Sequence, residues 1–197
     1  MGWTFYSSSG EAMIIDGGVQ NPAGANFDIS SYKLVGNGGS TGIAISANGE
    51  VTMAAQPCVL VSNSAKDSNV TGNNTAATID FNSEHFDQNA DFASDTFTAP
   101  VTGKYAISVA VTIEGLTGAA DSWNLIIVTS NRSYRLDAYH TNLAYSQVTL
   151  NRSIITDMDA SDTATIQVQV NGEGSDVVDI SGSGSVFNTF FSAALVA

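Results

Sequence analysis

The segment from Ala77 to Val111 constrains the fold more than any other part of the chain. Within Lys104–Val111, Tyr105, Ile107, Val109 and Val111 alternate with Ala106, Ser108 and Ala110. A period of two puts successive side chains on opposite faces, so this is a strand with one face in a core. The turn before it has a chemical cause. Pro100 has no N–H to give to a sheet ladder, and Gly103 can take φ > 0. Upstream, Ala77–Phe81 reads as a strand, followed by a polar turn region anchored by Phe86 and Phe92 and by a short Phe92–Phe97 strand.

The same grammar runs to the end of the chain. Cys58–Ser62, Trp123–Thr129, Arg132–Tyr139, Gln147–Thr156, Ala164–Val170 and Val186–Val196 read as further strands, with Lys66–Thr75 as a polar loop. About ten short strands with turns every 8–12 residues predict an all-β sandwich or jelly roll. Composition agrees: 43% of residues are hydrophobic and only 13% charged, which suits strands and turns better than solvated helices. At 197 residues the chain holds one domain plus an appendage.

Two motifs carry a resemblance. Phe97, Ala99, Pro100, Gly103 and Tyr105 stand in an F-x-A-P-x-x-G-x-Y pattern ahead of the alternating strand. Ser185, Phe187 and Phe190 form an S-x-F-x-x-F pattern before an apolar final strand. Together they resemble the opening and closing signatures of the globular head of complement component 1q, a tumour necrosis factor-like jelly roll, and they bracket about the last 140 residues. The resemblance implies a homotrimer whose terminal strand runs through the trimer core, with Phe187, Phe190 and Phe191 buried there. An ordinary sandwich core would explain the same three residues. Some members of that family bind calcium, often near the trimer axis.

Ahead of this head, residues 57–197, the sequence divides in two. Residues 1–20 carry an aromatic cluster, Trp3, Phe5 and Tyr6, at a terminus where most chains are polar. The rings read as an anchor on another protein, because aromatics dominate interface hot spots; the competing reading is a tail or an extra strand. Residues 21–56 are turn-rich, with Asn48-Gly49 between alternating apolar runs as a hairpin signal. Such a segment has too little apolar surface to fold alone, so it trimerises as a β neck or packs under the head. The run from Ile45 to Pro57 resembles the distal parts of bacteriophage tail-fibre and virion-appendage proteins. That resemblance implies assembly in the host cytoplasm, a place on the virion surface, and attachment to a capsid or tail protein.

Charge excludes some partners. Nineteen acids face Lys33, Lys66, Lys104, Arg132, Arg135 and Arg152, for a net charge of −13. Six cations cannot neutralise a row of phosphates, so no nucleic-acid partner is expected. An anionic membrane would repel the chain, and no run approaches the length of a membrane-spanning helix. Met1 to Tyr6 lacks the basic and apolar regions of a signal peptide. Cys58 is the single cysteine, in an apolar setting that predicts a buried structural thiol.

No catalytic constellation emerges, and no enzyme is expected. Gly38, Ser40 and Gly42 fit G-x-S-x-G, yet that motif requires a strand-to-helix elbow and here falls in a Gly/Ser-rich turn. His85 and His140 are the only histidines and read as surface or interface residues. Three acidic loops are candidates for calcium, which takes six to eight hard oxygens: Asp87, Asp91 and Asp95; Asp157, Asp159 and Asp162; and Glu173, Asp176 and Asp179. The Asp157–Asp162 loop is the first choice, although Asp is also a turn former. Trp123, Tyr134, Tyr139 and Tyr145 offer faces for sugar stacking, with core packing the stronger reading for Trp123. The sum is a trimeric phage fibre, spike or capsid-decoration protein displaying an adhesive head toward a host-surface glycan or protein. The rivals are a non-viral lectin-like or ligand-like trimeric module and, in another class, a glycan-cleaving enzyme.

Overall fold

The computed structural model describes residues 3–6, 12–15, 34–35, 42–46, 48–139 and 144–197. The chain divides into two compact units, Met1–Met53 and Ala54–Ala197. In the first, β1 (Trp3–Tyr6) pairs antiparallel with β2 (Ala12–Ile15). A second small sheet joins β3 (Leu34–Val35), β4 (Gly42–Ile45) and β5 (Val51–Met53) in that order. The β4–β5 hairpin forms where Asn48-Gly49 predicts it, with Gly49 at φ 92° and its N–H donating to Ser46 O at 3.0 Å. Its apolar residues Ile43, Ile45, Val51 and Met53 are all exposed.

The second unit is all β among its described residues, and its strands follow in chain order. They are β6 (Cys58–Ser62), β7 (Asp67–Thr71), β8 (Ala76–Thr78), β9 (Ser83–Asp87), β10 (Phe92–Ala93) and β11 (Thr96–Thr98). Then come β12 (Gly103–Leu116), β13 (Ser122–Thr129), β14 (Ser133–Tyr139), β15 (Tyr145–Met158), β16 (Thr163–Asn171), β17 (Val178–Ile180) and β18 (Phe190–Leu195). They form two sheets. One runs β9-β6-β18-β12-β15, extended by β17 and β7 beside β12; the other runs β11-β16-β13-β14, with β8 on the β11 side of β16 and β10 beyond β11. Sequence-distant strands lie side by side, the first beside the last and β12 between β18 and β15. This is the topology of a jelly roll.

Alternation explains why the sheets stack. On β12, Tyr105, Ile107, Val109, Val111 and Ile113 are buried. They meet Trp123, Leu125 and Ile127 of β13 and Ile166, Val168 and Val170 of β16 in one core. Phe97 stacks edge-on to Tyr105 at 5.5 Å, and the Tyr105 hydroxyl donates to Val101 O at 2.7 Å.

Four expectations need correcting. The Lys66–Thr75 loop contains β7, held against β17. Phe86 lies on β9 and is 44% exposed, so only Phe92 of that pair packs on the core. Cys58 is half-buried, not enclosed. Gly103 does not take positive φ; its missing Cβ leaves room for Leu195 Cδ1 and Ala197 O, which would lie 2.5 and 2.7 Å from such an atom.

Candidate interaction surface

The outer face of the β15-β12-β18-β6-β9 sheet is built by the residues that alternate with the core. Strand register aligns them in rows: Ile155, Ala106, Ala194 and Cys58; then Ser153, Ser108, Ser192, Leu60 and Phe86; then Asn151, Ala110, Phe190 and Ser62. None of these positions is charged; the Lys104–Asp157 row bounds them beyond Ile155, and Glu114 stands at the far end of β12. Ile155 is 68% exposed at one end and Phe86 44% at the other. The hydroxyls are paired within the face, Ser108 Oγ with Ser153 Oγ at 2.8 Å and, on the next row, Thr112 Oγ1 with Thr149 Oγ1 at 2.8 Å. A face of small and apolar residues whose Ser and Thr hydroxyls are largely paired within it costs little to desolvate.

An aromatic group borders this face. Ser62 Oγ lies 2.8 Å from His85 Nε2, and the His85 ring packs on Phe187 at 4.1 Å between centroids. Phe187 is 45% exposed and Val186 64%. The three terminal phenylalanines therefore have different places. Phe191 is enclosed in the sandwich, Phe190 is half-buried on the outer face, and Phe187 stands open beside His85. Among the described residues Ser62 and His85 have no carboxylate partner, and Ser62 is buried.

The acidic loops serve the fold. In the first, Asp87 accepts backbone N–H groups from Asp91 and Phe92 at 3.0 and 2.8 Å, and Asp95 accepts from Phe81 N at 2.8 Å. Burial pushes the Asp91 carboxyl above its usual range, and its Oδ2 is buried without a partner. In the second, Asp162 accepts from Asp159 N and Asn131 Nδ2, both at 2.8 Å, while Asp157 pairs with Arg132 at 3.1 Å. Asp159 contributes its backbone N–H to that turn. In the third, Glu173 is buried and accepts from Thr117 N and Oγ1 at 2.8 and 2.7 Å. Among the described residues no three His, Cys, Asp or Glu side chains converge as a metal site.

The sequence pattern missed the ion-pair cluster of Lys66 with Asp179 at 2.6 Å and Glu114 at 3.3 Å. It joins β12, β17 and the start of β7, so no local spacing announces it. Of the stacking candidates, Trp123 is core and meets Tyr145 edge-on at 6.0 Å, and Tyr134 donates to or accepts from Thr156 at 2.6 Å. His140, most of the Gly38–Gly42 motif and the Tyr139 side chain lie outside the described residues. Of the anchor candidates, Trp3 aligns with Ile15, Phe5 with Met13 and Tyr6 with Ala12 along the β1–β2 ladder.

No family model and no curated protein matches the sequence. Solved structures do match in shape. The globular domain of zebrafish complement 1qA is similar over 72% of this chain and 98% of its own, at 14% identity and a TM-score of 0.48. Murine APRIL is similar over 72% of this chain and 99% of its own, at 10% identity and a TM-score of 0.50. The strand order described above and the likeness to APRIL agree, and the fold is a jelly-roll β-sandwich of the complement/tumour necrosis factor-like type.

Proposed function

We propose that this chain is a non-enzymatic, homotrimeric binding protein whose head associates through the outer face of the β15-β12-β18-β6-β9 sheet. The observation that carries the reading is the middle of that face: rows across as many as five strands with no charged residue, bounded by Lys104 and Asp157 at one end of β12 and by Glu114 at the other, on a chain whose net charge is −13. Between like-charged copies, an uncharged face is where approach costs least, and burying Ile155, Leu60, Phe86 and Phe190 there supplies the gain. Phe190 and Phe187 are the trimer-facing members of the terminal phenylalanine set, while Phe191 supports them from inside.

On this reading the first unit is an anchor and neck. Trp3, Phe5 and Tyr6 attach to a capsid or tail protein, and the exposed Ile43, Ile45, Val51 and Met53 associate with their counterparts in the other copies. The protein is then a fibre, spike or decoration on the virion surface, and three weak host-binding sites act together by avidity. The resemblance of Ile45–Pro57 to virion appendages favours this placement. A non-viral ligand-like or lectin-like trimer uses the same head and the same face, and it differs in where the N-terminal unit attaches.

The test is the solution mass of the full chain by sedimentation velocity, with and without calcium. Three times the 20.4 kDa chain mass is expected, and Ile155→Lys with Phe190→Lys should break the assembly while leaving the circular-dichroism spectrum of the fold. A monomer at every concentration overturns the reading. Mass spectrometry of purified virus particles separates the viral placement from the non-viral one.

A further inference from the structure

The arginines of the chain lie along one lateral edge of the sandwich, where β14 and β15 end their sheets. Arg132 and Arg135 already have carboxylates there, Asp157 and Asp137. Arg152 has none among the described residues. Its side chain leaves β15 on the core side, in register with Val109, and its Nη1 donates to the Arg135 carbonyl at 2.9 Å. Its Nε is buried without an acceptor, and no acceptor among the described residues takes its Nη2. A half-buried cation without a counter-charge is costly, and no described residue of this edge supplies one.

The opposite edge has the reverse imbalance. A cleft of about 340 Å³ opens there, with Val61, Phe81 and Phe92 as its floor and Asp80, Glu84 and Asp95 among its lining residues. Asp80 accepts from Asn82, and Asp95 from the Phe81 backbone. Glu84 is exposed, and its side chain makes no hydrogen bond or ion pair with any described residue. Its strand β9 and Arg152's strand β15 are the two ends of a five-strand order. Four strand spacings separate them, about 19 Å, so the two charges cannot meet within one copy.

We propose that Glu84 of one copy supplies the missing carboxylate of Arg152 in the next. The inference rests on the homotrimer reading above and adds its register and symmetry. A contact between two different edges is heterologous and closes into a ring when the rotation allows. A two-fold dimer through either edge would set Arg152 beside Arg152, or one carboxylate cleft against another. The uncharged middle of the sheet face lies between the two edges and is drawn into the same contact, while the charge pair fixes which edge meets which.

The experiment uses the full chain, with association measured by sedimentation velocity across a dilution series. Glu84→Arg and Arg152→Glu should each weaken trimer formation at least roughly tenfold, and the double swap should recover most of that loss. Glu84 makes no contact that its replacement would break, so Glu84→Arg reads association without disturbing the fold even if Arg152→Glu misfolds. Single variants that trimerise at the native concentration, or a double swap no better than the weaker single, overturn the pairing and leave the homotrimer standing. A native chain that stays monomeric or stops at a dimer overturns both.

Discussion

The Phe191 ring centroid lies 5.8 Å from Phe92, 6.0 Å from Phe81 and 6.4 Å from Phe97, so one side chain ties β18 to three segments of the opposite edge. Phe191→Ala should cost about 3–5 kcal/mol, as large aromatic truncations in tight cores do, a large fraction of the total for a single domain; urea denaturation measures it. Glu173 makes the contrasting case. Its two oxygens accept from Thr117, 56 residues away in sequence. Glu173→Ala should cost about 1–3 kcal/mol by stranding those donors, and Glu173→Gln should recover part of it; thermal melts separate the two. Phe191 was legible as an apolar residue in an apolar strand, though its place in the protein's own core was not. Glu173 read as one more acid in an acidic loop, because a carboxylate that clamps a distant turn has no local pattern.

At the scale of elements, the long strands announced themselves and the short polar ones did not. β12, β13, β15 and β16 have at least one buried face and so carry the period of two. β7, β9 and β17 are short edge-side strands, and β7 (Asp67–Thr71) and β9 (Ser83–Asp87) are mostly polar. They are strands because neighbouring backbones offer hydrogen bonds, and sequence periodicity does not report that. The Pro100–Gly103 turn was placed correctly for a partly mistaken reason. Gly103 is needed because β18 closes over it, with Leu195 and Ala197 filling the place of a side chain and Lys104 N donating to Ala197 O at 2.5 Å. Gly103→Ala should therefore lower stability by about 1–3 kcal/mol through overpacking. The damage should localise to the end of β18, seen as faster amide exchange at Leu195–Ala197 while β13 and β16 stay protected.

The whole molecule answers to pH through two groups of carboxylates that pull in opposite directions. Burial pushes Asp67 and Asp91 above 3.8, with the charges of Asp80 and Asp95 adding to the rise at Asp67 and that of Asp87 to the rise at Asp91. Each costs stability while ionised, and that cost disappears as pH falls through its raised folded value. Glu114 is held below 4.5 by a hydrogen bond from Ser181, which outweighs burial, with help from Lys66 and Gln147. For Asp179 burial pushes upward, yet Lys66 and the Asn69 N–H together hold it below 3.8. These two contribute stability above their ordinary values and lose it as pH falls through their lowered folded ones. Lys66 is itself raised above 10.5 by Asp179 and Glu114, so its contribution is complete below 10.5 and lost above its folded value. Repulsion from the net charge of −13 also eases as acids protonate. The melting temperature should therefore hold or rise from pH 7 toward about 4.5, the usual Glu range, and then fall. It should fall again above pH 10.5. Lys66→Ala should flatten both declines, and Asp91→Asn should raise the melting temperature at pH 7 with a gain that disappears toward pH 4. Thermal melts of the three proteins across this range decide it: an acid decline that is as steep in Lys66→Ala as in the native chain would remove the Lys66 cluster as its cause.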